Sequence, residues 1–145
     1  ELAGVCIDIF DTGSGKLFTN SPSVAYLDSI GSSETDGIWI ENGTDGPVGD
    51  FYQFNWQNAN ALCATYNINN LGGRTNWRLA NIIELRDELY HTYGNMFTAR
   101  GWAATDFYWS ATPMSSFYRV MLLVSNYESG FPPSELNYAS CVSEP

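Results

Sequence analysis

Apolar and polar positions change their period twice along the chain. In residues 1–50, Val5, Ile7 and Ile9 alternate loosely with Cys6, Asp8 and Phe10, the period of a strand. Asp11-Thr12-Gly13-Ser14-Gly15 reads as a turn and Leu17-Phe18 as the start of a second strand. Gly37-Ile38-Trp39-Ile40 is a short strand between Asp36-Gly37 and Asn42-Gly43, and Asp45-Gly46-Pro47 turns the chain again. From residue 55 the period becomes helical: Ala59, Leu62, Cys63 and Tyr66 fall on one face, with Asn55 as the cap. A second helix starts near Asn81, which forms a capping box with Glu84; Ile82, Leu85, Leu89 and Tyr93 line its apolar face and Gly94 stops it. Strand texture returns beyond residue 106, at Phe107-Tyr108-Trp109, Ser116 to Val124 and Tyr138 to Val142. Turns at Thr112-Pro113, Ser125-Asn126 and Pro132-Pro133 separate these segments. Strands, then two helices, then a short antiparallel sheet predict an α+β fold with Trp77, Leu85, Leu89 and Trp109 in its core.

At 145 residues the chain is expected to form one domain, long enough to bury ~70% of its unfolded surface. No apolar run approaches the length of a membrane span, and nothing at the start resembles a signal peptide. A start at Glu1 rather than Met suggests a piece of something longer. Charge narrows the partners. The formal net charge is −10 and Lys16 is the single Lys, so the basic footprint that nucleic acids require is missing, and anionic membranes and sulfated polysaccharides are disfavoured. The charge is uneven: residues 1–72 carry nine acids and one base (−8), residues 73–145 seven acids and five Arg (−2).

Catalytic motifs are weak. Asp11-Thr12-Gly13-Ser14 matches the loop of aspartic proteases, but there is one copy, and the apolar run Val120 to Val124 ends in Ser125 rather than Gly. A hairpin turn is the plainer reading. Gly13-Ser14-Gly15-Lys16 is not a phosphate loop, because Phe10 stands where the first Gly belongs and Leu17 replaces Ser or Thr. A zinc site lacks a Cys-x-x-Cys and has only His91 to draw on, and no nucleophile elbow accompanies that His. Asp36, Glu41, Asp45 and Asp50 are oxygen ligands of the kind Ca²⁺ takes, but their spacing fits no EF-hand loop. Asn42-Gly43-Thr44 is a glycosylation sequon by pattern alone. The expectation is a non-enzymatic protein without a metal or cofactor.

Three cysteines can stay reduced in a cytosolic protein, but the low Lys count and the Asn-, Ser-, Thr- and Tyr-rich texture favour an exported one with one disulfide and one thiol left over. Cys63–Cys141 is the preferred pair and Cys6–Cys141 the alternative. Trp102, Phe107, Tyr108, Trp109, Phe117, Tyr118, Tyr127 and Phe131 crowd the last third, with Arg100 and Arg119 nearby. Strand alternation sends some of these outward, and exposed Tyr, Trp and Arg compose a protein-binding surface.

Three segments in order carry a family resemblance: Trp77-Arg78-Leu79-Ala80 with Glu84-Leu85, Tyr108-Trp109-Ser110-Ala111-Thr112, and Tyr138-Ala139-Ser140-Cys141-Val142. Residues 51–145 resemble the C-terminal C-type-lectin-like domains of intimin/invasin-type (inverse autotransporter) bacterial adhesins. They are also similar to the Trp-Arg-Leu-Pro domain of the Legionella collagen-like adhesin, with Ala80 in place of its Pro. Leu17 to Pro22 and Glu41 to Thr44 look like the lead-in of the former group. The resemblance implies a C-type-lectin-like α+β fold, two helices packed on a small antiparallel sheet, with a strand- and turn-rich lead-in at 1–50 and a lectin-like core at 51–145. It places Cys63 and Cys141 at the helix-to-last-strand disulfide of that fold. It further implies a monomeric adhesin tip on the bacterial surface, without membrane contact of its own, anchored through an outer-membrane barrel elsewhere in a longer chain. The Glu-Pro-Asn or Gln-Pro-Asp triplet of calcium-dependent sugar binders is absent, so that activity is not implied.

The function expected is therefore binding of a host protein, a cell-surface receptor or an immunoglobulin, through Arg100, Trp102, Phe107, Tyr118, Tyr127 and Phe131. The alternative is a calcium-independent carbohydrate-binding module whose aromatic rings stack on sugars.

Overall fold

Strands that are apolar at successive positions need cover on both faces. The computed structural model, which describes residues 1–31 and 34–145, shows this arrangement throughout its centre. Leu17 and Phe18, Tyr108 and Trp109, Val120 and Met121, Tyr138 and Ala139, and Cys141 and Val142 are neighbours in sequence, and every one is buried. Alternation sends the members of each pair to opposite sides. Phe18, Tyr108, Met121, Tyr138 and Val142 join a core with Leu85, Leu89, Met96 and Trp102. Leu17, Trp109, Val120, Ala139 and Cys141 join a second core with Tyr26, Leu27, Leu62, Tyr66 and Trp77.

The elements are β1 (Ile9–Asp11), β2 (Leu17–Thr19), α1 (Val24–Ser29), β3 (Gly37–Glu41), β4 (Gly49–Gln53), α2 (Trp56–Ile68) and β5 (Arg78–Leu79). A π-helical stretch, Glu84–Tyr90, then runs into α3 (His91–Tyr93). After it come α4 (Met96–Arg100), β6 (Tyr108–Met114), β7 (Phe117–Leu122), β8 (Tyr127–Phe131), β9 (Tyr138–Ala139) and β10 (Cys141–Ser143). Caps set three of the helix starts: Ser23, Asn55 and Asn95 each accept a first-turn backbone N–H. One sheet has the order β1-β2-β10-β5, a second is the β3-β4 hairpin, and a third runs β8-β7-β6-β9. The β6–β9 pair is parallel, and the other strand pairs are antiparallel.

This corrects the expected architecture. Among the described residues there are four α-helices and three separate sheets, so a C-type-lectin-like layout of two helices on one small sheet is overturned. The reason lies in the doubly buried strands: α1 and α2 feed one core while the π-helical stretch and α4 feed the other. Before residue 51, β2 pairs with both β1 and β10. The run from Tyr138 to Val142, expected as one strand, divides. Its first half pairs with β6 and its second with β2 and β5, and between them the carbonyl of Ser140 accepts from the Ala80 N–H.

Two local devices tie helices to the β1-β2-β10-β5 sheet. Cys63 of α2 and Cys141 of β10 form a disulfide, with Cα atoms 5.6 Å apart, and Cys6 is free and exposed. The capping box is also present. Asn81 Oδ1 accepts from the Glu84 N–H, and Glu84 Oε1 accepts from the Asn81 N–H, both at 2.9 Å. Glu84 is 2% exposed, yet charged groups surround it: Arg78 donates to it at 2.8 and 2.6 Å, and Lys16 Nζ lies 2.8 Å away. These donors outweigh burial and draw its carboxyl down to about 2.

Candidate functional site

The register of β7 and β8 sets Tyr118 opposite Phe131 and Leu122 opposite Tyr127. Directly opposed residues share a sheet face, so Tyr118, Phe131 and Tyr127 lie on one side. Phe107, just before β6, fills the space between the β8 rings: its centroid is 5.0 Å from Phe131, edge to face, and 5.8 Å from Tyr127. Trp56, at the start of α2, stacks on Tyr118 at 3.7 Å with its plane tilted by 11°. The indole N–H of Trp56 donates to the Ser110 carbonyl at 3.0 Å, which fixes the ring in place. Trp56 with Tyr118, and Phe131, Phe107 and Tyr127 together, thus form two groups of packed rings joined by the Tyr118–Phe131 cross-strand pair, an aromatic run over α2, β7 and β8. The first four are half-buried, and Tyr127, at 56% exposure, stands out into solvent.

The other side of the same strands is charged at one end and apolar at the other. Arg119 reaches Glu128 at 4.0 Å, and Glu128 also takes Arg86 at 3.3 Å. Phe117 and Met114 are exposed here and face each other across the β6–β7 turn. Met114 crosses over Gly130, where a Cβ would sit 2.5 Å from its methyl carbon, so a larger residue there would make this flexible side chain swing aside. Under Phe107 lies Asp106, whose carboxyl burial pushes up to about 6, although the Gln53 amide and the Phe107 N–H donate to it.

Four of the six expected contact residues, Phe107, Tyr118, Tyr127 and Phe131, come together in this run. Arg100 and Trp102 do not. The guanidinium of Arg100 donates to both carboxylate oxygens of Asp8, at 2.9 and 2.6 Å, and covers the Phe10 ring at 4.2 Å. Trp102 is fully buried and its indole N–H donates to Asp8 at 2.8 Å. Both hold the N-terminal segment against α4, so Trp102 is a core residue rather than an exposed anchor. Trp56 was missed, though a signal existed: it extends the Ala59-Leu62-Tyr66 stripe one turn toward the cap.

The other motifs serve local structure. Asp11-Thr12-Gly13-Ser14 is the β1–β2 turn, where Asp11 accepts from the Gly13 N–H at 2.8 Å and Thr12 N–H donates to the Lys16 carbonyl. His91 lies exposed between Asp87 and Asn126. Asp36 accepts from Asn55 and Asn58 at the start of α2. Glu41 is buried and accepts from Thr105 and from the Tyr138 hydroxyl, while Asp50 is exposed. The acidic stretch therefore does not converge on a point. Among the described residues no three His, Cys, Asp or Glu side chains are grouped to hold a metal ion. A shallow polar groove of about 270 Å³ lies between Thr12, Ser14, Lys16, Glu88, Thr92 and Tyr93, with Lys16 tied to Glu84 and Glu88.

The segments that carried the resemblance are the joints of this fold. Trp77 and Leu79 enter the second core, Arg78 neutralises buried Glu84, and Ala80 bonds to both Ser140 and Ala111. Residues 29–142 match the family described as the Lcl C-terminal domain, which agrees with the collagen-like-adhesin side of the resemblance. No curated protein and no solved structure matches the chain. With a match spanning most of its length, over elements that build both cores, the chain belongs to the Lcl C-terminal domain family, a family of non-enzymatic adhesin domains.

Proposed function

We propose that residues 1–145 form one adhesin tip domain at a bacterial surface and bind a host protein, a receptor or an immunoglobulin, along the aromatic run of Trp56, Tyr118, Phe131, Phe107 and Tyr127. The carrying observation is the exposure of Tyr127 at the end of a run whose other rings are packed and held in place. A rigid aromatic surface loses little side-chain entropy on binding, and Tyr and Trp dominate interface energetics.

The test is capture of host serum and membrane proteins on the immobilised domain, compared with Tyr127→Ala. Binding is expected to fall about tenfold or more, with an unchanged melting temperature because the ring is mostly in solvent. Unchanged capture by the variant overturns the assignment. A glycan array probes the carbohydrate reading: chelator-insensitive glycan binding lost in Tyr127→Ala would replace a protein ligand by a sugar.

A further inference from the structure

The β3–β4 hairpin exposes a second surface, remote in sequence from the aromatic run of β6–β8. Ile38, Trp39 and Ile40 follow one another on β3 and are 51%, 41% and 73% exposed. Register explains where they point. Trp39 lies opposite fully buried Phe51, on the inner face, whereas Ile38 and Ile40 lie opposite Tyr52 and Asp50 on the outer face. The far edge of β4 is partly closed by a bridge between Phe51 and Ser23. Among the described residues no strand pairs with the outer edge of β3. A free edge beside exposed apolar side chains is a template for strand addition.

Charge identifies the occupant. The Tyr52 hydroxyl donates to Asp28 at 2.7 Å, so the outer face carries two isoleucines and, beside them, the carboxylates of Asp28 and Asp50. Neither carboxylate has a basic partner within 4.0 Å among the described residues. Two copies pairing edge to edge would offer these carboxylates no basic partner, so charge complementarity favours a basic strand over a second copy. The geometry points to β3 as the docking edge for an extended polypeptide that alternates basic and apolar residues. Its main chain would bond to the β3 edge. Its Lys or Arg stems would lie across Ile38 and Ile40 with their heads toward Asp50, two strand spacings or about 10 Å from the added strand, and Asp28 beyond it adds to the negative field. Its apolar residues, on alternate positions, would meet the exposed part of Trp39.

The probe is a short synthetic peptide of alternating Lys and Val, titrated onto the intact chain by calorimetry and by amide NMR. Saturable binding is expected, with shifts at residues 37–41 and at least tenfold weaker affinity at high salt. Affinity should also fall at least tenfold in Ile40→Thr and in the double variant Asp28→Asn/Asp50→Asn, and stay unchanged in Tyr127→Ala. That last comparison separates this surface from the aromatic run: either can fail without the other. Equal binding of an alternating Glu/Val control peptide, no binding of the Lys/Val peptide, or insensitivity to both Ile40→Thr and Asp28→Asn/Asp50→Asn overturns the proposal. So does a dimer in sedimentation that Ile40→Lys dissolves, which would make a second copy the occupant.

Discussion

At the residue scale, burial decides roles that residue type leaves open. Trp102 and Tyr127 are both aromatics in an aromatic-rich third, yet one is sealed over Asp8 and the other is in water. The difference is set by what the N-terminal segment brings to α4, which no local pattern carries. Tyr66 shows the same logic for a polar atom. It is fully buried in the second core, and its hydroxyl has no hydrogen-bond partner among the described residues. A buried hydroxyl left unpaired costs about 1–3 kcal/mol. Tyr66→Phe is therefore expected to raise unfolding free energy by about 1 kcal/mol, measured by urea denaturation. A loss of stability would mean that the hydroxyl has a partner after all.

At the element scale, the informative parts are those that connect helices to strands. Cys63–Cys141 ties α2 to β10 across a sequence separation of 78. In the chain-entropy treatment a loop of this size constrains the unfolded state by about 4 kcal/mol. The double variant Cys63→Ala/Cys141→Ala is expected to lose about that much stability, read by denaturation of both proteins under identical buffer. A loss below about 1 kcal/mol would show that the cores alone hold α2 on β10. The helix starts at Asn55 and Asn81 and the Gly94 stop were legible, because caps are local. The short helices α1 and α4 and the strands β4 and β8 were not expected. Each is only a few residues long, and packing rather than periodicity stabilises elements of that length. Tyr93, expected on the buried face of its helix, is 37% exposed and packs its ring on Phe10 instead. The π-helical stretch before it breaks the 3.6-residue period on which that expectation rested.

At the scale of the whole molecule, buried Glu84 and half-buried Asp106 make stability depend on pH in opposite directions. Glu84 is drawn down from 4.5 to about 2 because Arg78, Lys16 and the Asn81 N–H outweigh its burial. Its contribution is present above the unfolded value and is lost as pH falls toward 2. Asp106 is pushed from 3.8 up to about 6 by burial, with Glu41 adding to the effect. Folding is thus favoured while Asp106 is protonated, and stability declines as pH rises from about 4 through 6. Each difference corresponds to roughly 3 kcal/mol. Melting temperature is expected to peak near pH 4–5, between the two limbs. Asp106→Asn should flatten the upper limb and Glu84→Gln the acid limb. A wild-type profile that rises steadily from pH 5 to 8 would contradict the assignment for Asp106.

The amino-acid sequence by itself determined the local and compositional features: the two main helix starts, the Asn81–Glu84 box, the β1–β2 turn, the weakness of every catalytic motif, and a charge unsuited to polyanions. Caps, turns and net charge depend on near neighbours or on counting, so they can be read in one dimension. Tertiary structure decided which face of each strand is covered, and hence that doubly apolar runs need helices on both sides and three sheets rather than one. It also decided which aromatics meet in one run, that Trp56 joins them, and that Ile38, Trp39 and Ile40 lie on an open edge. Those outcomes rest on contacts between residues far apart in the chain, where pairing and burial override the local pattern.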